Sequence, residues 1–95
     1  MKYSIEDNNA KVCNIYESDN QVVTHLFIKE NDQIPSHYSP MSVIVVIYEG
    51  EVEFEEDGEI YTIKPGDIVQ MKPSVKHSLK AKKDSKLMVI KSDLK

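Results

Sequence analysis

IPSHYSPMSVIVVIYEG, residues 34–50, is the stretch whose reading decides the fold. It holds His37 between two prolines, then the longest apolar run in the chain, then Gly50. Six consecutive residues, Val43 to Tyr48, are β-branched or aromatic. A run this short and this branched predicts a strand covered on both faces rather than a helix. Pro35 and Pro40 exclude a helix around His37 and hold it on extended or turning chain.

Downstream of Gly50 the chain alternates. Glu51, Glu53 and Glu55 interleave with Val52 and Phe54, and Asp57-Gly58 is a type I′ hairpin dipeptide. A two-residue loop there sets Phe54 opposite Tyr61, Val52 opposite Ile63, Glu53 opposite Thr62 and Glu51 opposite Lys64. One face of this hairpin is apolar and the other charged, with Ile60 opposite Glu55 as the misfit. Turns at Pro65-Gly66-Asp67, Lys72-Pro73-Ser74 and Lys82 to Ser85 separate the strands that follow, the last of them at Leu87 to Ile90.

Upstream, Gln21 to Lys29 predicts a strand ending in the turn Glu30-Asn31-Asp32, and residues 1–20 read as an edge strand or extended arm of the same domain. No stretch carries a helical apolar period. About seven or eight short strands at close spacing indicate an all-β sandwich or barrel, with the barrel proper over residues 21–95.

At 95 residues and 40% hydrophobic content the chain is expected to fold as one domain with little spare stability, which self-association would raise. A net charge of −4 gives no overall attraction to nucleic acid, and no segment is apolar for long enough to span a bilayer as a helix. Every basic residue is a lysine. Arginine is the side chain suited to bidentate clamping of carboxylate or phosphate, so its absence argues against a site built for anionic substrates, although a compositional bias is the simpler explanation. With one cysteine, Cys13, and no apolar leader in MKYSIEDNN, a cytoplasmic setting is expected. Cys13 has no neighbouring His or basic cluster in sequence and reads as a small, buried or half-buried, unreactive thiol.

Residues from about 21 to 91 resemble a small single-domain cupin. Counting back from Gly50, the family's first motif puts its glutamate position at Val43, its two histidines at His37 and Ser39, and its opening glycine at Asn31. Counting on from Gly66, the second motif puts its proline at Lys72, its glycine at Ser74, its histidine at His77 and its asparagine at Ala81. The resemblance implies a jelly-roll barrel of the double-stranded β-helix kind. Asparagine tolerates the left-handed conformation that a glycine position needs, and Pro73 keeps the second turn rigid.

In typical cupins the three histidines and the glutamate hold one divalent ion inside the barrel. Here serine and valine occupy two of the four places, leaving His37 and His77. Two neutral imidazoles without a carboxylate are a poor set for zinc, nickel, manganese or iron, so the expectation is no metal or a weakly bound one, with His25 as a possible third ligand. On its strand His25 shares a face with Val23 and Phe27, and which face points inward is open. The resemblance implies either a module binding a small organic ligand against His37, Ser39, Val43 and His77, or an isomerase, dioxygenase or lyase using the same pocket.

Seven acidic residues between Glu49 and Glu59 and six lysines between Lys72 and Lys86 read as solvated outer faces. If Val43, Val45 and Ile47 point inward, Ile44, Val46 and Tyr48 need a cover. A homodimer is the expected cover, with the arm around Val12 to Tyr16 as the alternative.

Overall fold

A computed structural model describes residues 1–94. The strands in order are β1 (Val12–Glu17), β2 (Gln21–Ile28), β3 (Gln33–His37), β4 (Ser42–Glu49), β5 (Val52–Glu56), β6 (Glu59–Ile63), β7 (Ile68–Met71), β8 (His77–Ala81) and β9 (Ser85–Ser92). They form two antiparallel sheets, one ordered β1-β2-β9-β4-β7 and the other β3-β8-β5-β6. No helix among the described residues is long and apolar enough to cross a membrane.

The β5–β6 hairpin has the expected register, with Val52 opposite Ile63, Glu53 opposite Thr62, Phe54 opposite Tyr61 and Glu55 opposite Ile60. Asp57 and Gly58 have φ of 47° and 88°, as a type I′ turn demands at both central positions. The misfit Ile60 faces solvent. Glu51 lies outside the ladder, and its carboxylate sits 3.9 Å from Lys82 rather than against Lys64. Asn31 takes a φ of 68°, and its N–H donates to the Ala81 carbonyl at 2.8 Å, tying the β2–β3 turn to the end of β8.

Period-two alternation sorts the side chains. Val43, Val45 and Ile47 of β4, Leu87 and Val89 of β9, and Val52 and Phe54 of β5 meet between the sheets and are buried. The two outer faces differ. That of the β5 sheet is charged, with Glu53 beside Lys80 across the strands. That of the β4 sheet is apolar, and here the double covering expected for Val43 to Tyr48 is incomplete: Ile44 is 38% and Tyr48 45% exposed. The N-terminal arm does not lie over them, because β1 pairs with β2 as the edge strand of the same sheet.

Gly50 ends β4 with a φ of 92°, and a Cβ there would lie 2.4 Å from the Asp84 carbonyl and 2.6 Å from Ser85 Cα. The close approach lets the buried Ser85 hydroxyl accept from Glu51 N–H at 3.0 Å and donate to the Lys83 carbonyl at 2.7 Å. Gly50→Ala combines an unfavourable φ with a clash against backbone. It should lower unfolding free energy by at least about 2 kcal/mol in urea denaturation, whereas Gly58→Ala, which meets no neighbour, should bear only the turn penalty of about 1–2 kcal/mol.

Candidate functional site

The two sheets part at one end around a cavity of about 360 Å³. Its apolar wall includes Leu26, Val43, Val45, Phe54, Leu79 and Val89. Its polar groups are His37, Ser39, His77, Thr24, Tyr38 and Lys91.

A β-bulge brings the two histidines together. On β3, Ile34 pairs with Leu79 and His37 with His77, so three steps on one strand match two on the other. Without the extra residue His37 would point away from Ile34; with it, both face the cavity. Pro35 lies within this bulge on an edge strand, where its missing N–H breaks no ladder. The imidazole rings of His37 and His77 end 4.2 Å apart between centroids and 62° apart in plane. Phe54 lies parallel to His77 at 6.0 Å.

Each ring is fixed through the same nitrogen. His37 Nδ1–H donates to the Pro35 carbonyl at 2.8 Å and His77 Nδ1–H to the Val75 carbonyl at 3.0 Å. A carbonyl only accepts, so Nδ1 must carry the proton, and in the neutral ring Nε2 presents its lone pair. Burial pushes the His77 pKa below its ordinary value, and the positive charges of His37 and Lys91 push the same way, against the Val75 hydrogen bond and the Glu56 carboxylate. His77 is therefore a neutral acceptor near pH 7. Glu56 itself accepts the Tyr61 O–H, and burial with this carboxylate raises the Tyr61 phenol well above its ordinary range.

Ser39 and Val43 line the cavity with the two histidines. The Ser39 hydroxyl accepts from Met41 N–H at 3.1 Å, and its carbonyl accepts from Ser74 N–H at 2.7 Å. Ser74, at the second motif's glycine place, has a φ of 70°, so the left-handed turn is retained without glycine. It joins the β7–β8 turn to the loop carrying Ser39.

His25 lies elsewhere, and its role as a third ligand is corrected. Its neighbours Thr24 and Leu26 point into the cavity, so by alternation His25 points to the outer face. There its Nε2 is 2.6 Å from the Tyr48 hydroxyl, its Nδ1 has no partner, and it is only 1% exposed. Burial, then the Lys86 charge, lowers its pKa. Among the described residues no group of three His, Cys, Asp or Glu side chains is placed to hold a metal. The donors that converge in the cavity are two imidazole nitrogens, with the Lys91 cation nearby, and this set does not fit a tightly held divalent ion.

Lys91 was not singled out by the sequence reading. It continues the inward row Leu87, Val89 of β9, and that alternation is the signal that marks it.

The Cupin domain family model matches residues 24–91, well over half of the chain, and the protein belongs to that family. No curated protein matches the sequence. Among solved structures the chain is similar to an RmlC-like cupin with a double-stranded β-helix fold from Methanocaldococcus jannaschii, at 24% identity and a TM-score of 0.83, covering 97% of this chain and 89% of that one. It is similar also to an RmlC-like cupin from Shewanella frigidimarina, at 19% identity and a TM-score of 0.82, over 96% of this chain and 84% of that one. KdgF from a Halomonas species matches at 14% identity and a TM-score of 0.80, over 98% of this chain and 87% of that one. At these identities the likeness shows the fold, a double-stranded β-helix.

Both buried histidines make stability depend on pH. Unfolded histidine titrates near 6.5, and in the folded chain His25 and His77 lie lower. Between these values the unfolded chain binds more protons, so stability falls as pH drops through 6.5 and levels off once the folded groups also protonate. Urea denaturation from about pH 7.5 to about pH 5.5 should show this loss, and His77→Gln should reduce it.

Proposed function

We propose that this cupin binds a small organic molecule in the cavity between its sheets and does so without a tightly held metal. The observation that carries the reading is the pair of histidines, each anchored through Nδ1 and turned to the cavity, where no third His, Cys, Asp or Glu among the described residues joins them. A cavity of about 360 Å³ lies near the lower end of the roughly 300–1,000 Å³ typical of ligand pockets, which suits a compound of metabolite size. The apolar wall supplies burial, and the lone pair of the neutral His77 supplies orientation. The same groups would serve an enzyme of the isomerase, dioxygenase or lyase kind by proton transfer. Favouring that second reading is the neutral His77, a base in waiting beside a second imidazole. Turnover of the bound compound separates the two.

Metal content distinguishes this proposal from family-type metal binding. Untagged protein incubated with zinc, nickel, manganese or iron and then desalted should retain less than about 0.1 ion per chain. Stoichiometric retention that is lost in His37→Ala and His77→Ala would refute it.

We also propose a homodimer through the outer face of the β4 sheet. Ile44, Val46, Tyr48, Ile68, Met88 and Ile90 fall together there by register, and Ile68 is 65% exposed. A patch of this kind on a small domain gains most by self-burial. Sedimentation at micromolar concentration should give the mass of two chains, and Ile44→Glu should give the mass of one. A monomeric wild type would remove the dimer.

A further inference from the structure

We infer that the ligand is an organic acid: a carboxylate that meets the Lys91 ammonium and carries a hydroxyl or N–H that donates to the histidine pair. This rests on the small-molecule pocket proposed above and names the class of compound it takes.

Three observations converge. First, Lys91 is an inward-facing residue of the central strand β9, not a surface lysine reaching back. Its backbone pairs with Val22 on one side and Val43 on the other, and the residues before it in the same row, Leu87 and Val89, are core. A lysine in such a row directs its side chain towards the cavity, where its ammonium can meet an anion.

Second, none of the described residues supplies that anion: no Asp or Glu among them lines the cavity, and no carboxylate among them lies within ion-pairing distance of Lys91. The side chains directly across the ladder, on the same inward face, are Val43 of β4 and Val22 of β2. Cβ atoms of such cross-strand pairs are about 4.5–5.5 Å apart, so an acidic residue at 43 would neutralise Lys91 from within the protein. Valine leaves that neutralisation to whatever enters.

Third, the remaining polar groups fix the rest of the compound. His77 offers an acceptor, not a donor, so it repels a second carboxylate and attracts an O–H or N–H. One ammonium matches one negative charge. A phosphate, with two charges and three oxygens to satisfy, would leave most of them against valine and leucine. The lack of arginine excludes bidentate clamping but not this single point contact. The body of the acid lies on Phe54, Leu79 and Val45.

The test uses hydroxy acids in matched sets: 3-hydroxybenzoate, 4-hydroxybenzoate and 2-hydroxyhexanoate, each beside its carboxamide and beside the acid lacking the hydroxyl. Binding is read from the methyl resonances of Leu26, Val45, Leu79 and Val89 in the full chain. At least one hydroxy acid should bind about tenfold or more tightly than its amide and than its deoxy acid, as expected for loss of a charge-assisted contact or of a buried hydrogen bond. In Lys91→Met the preference over the amide should fall to within about twofold, while Lys91→Arg should keep most of it. Both variants are to be checked for an unchanged methyl spectrum without ligand. If amides bind as well as acids, or if Lys91→Met retains the preference, the organic-acid assignment is overturned while the pocket stands. If no compound of any set moves the cavity methyls, both the assignment and the pocket reading fail.

Discussion

The alternation of β9 is the constraint on which the rest of the molecule depends. This strand is the middle of the five-stranded sheet, paired over its length with β2 on one side and β4 on the other. Its inward row, Leu87, Val89 and Lys91, supplies core and then cavity, while its outward row holds Met88 and Ile90. A slip of one residue would carry Lys91 out to the apolar outer face and bury Lys86 in the core, so register is strongly specified. Because β9 follows β2 and β4 at a distance in sequence, these two partners cannot be joined until it is in place. Such long-range pairing makes folding slow relative to hairpin formation.

Much of this architecture was legible because local chemistry and tertiary structure agree. The β5–β6 register follows from Asp57-Gly58, whose backbone conformation almost no other dipeptide adopts as readily. The turn at Asn31 follows likewise from residue type, whereas the inward set Val43, Val45 and Ile47 stays conditional in the sequence and is chosen by packing. Where both faces of a strand are apolar, alternation loses its power to orient. That is why β2 left His25 undecided: Val22, Leu26 and Ile28 compete with Val23 and Phe27, and only packing against the second sheet chooses between them.

Two features of the site were hidden for different reasons. The bulge at Pro35-Ser36 shifts the parity of β3 by one, and a count along the sequence cannot reveal where a strand holds an unpaired residue. The resemblance to cupins put His37 beside His77 by motif position, but the cause of their convergence is this bulge. Lys91 was lost to a boundary. The last strand reads as ending at Ile90, where the apolar residues stop, whereas it runs to Ser92. A charged residue at the end of a buried row is taken for the start of a loop, because composition marks strand ends more weakly than hydrogen bonding does.

The electrostatics of the cavity follow from a pair of facing positions. The cupin motif has an acidic residue at the place of Val43, where it would offer a divalent cation an anionic ligand. On this ladder the residue opposite is Lys91, so a carboxylate there would be drawn into an ion pair, and a metal would face an ammonium. Valine at 43 and lysine at 91 together underlie the proposal that the cavity takes an anion rather than a metal ion. The anchored histidines are compatible with either, because Nδ1 donation to a backbone carbonyl prepares Nε2 equally for a metal or for a donor on a ligand. What the proposal rests on is the charge that lines the cavity, where Lys91 contributes an ammonium and, among the described residues, no carboxylate stands against it.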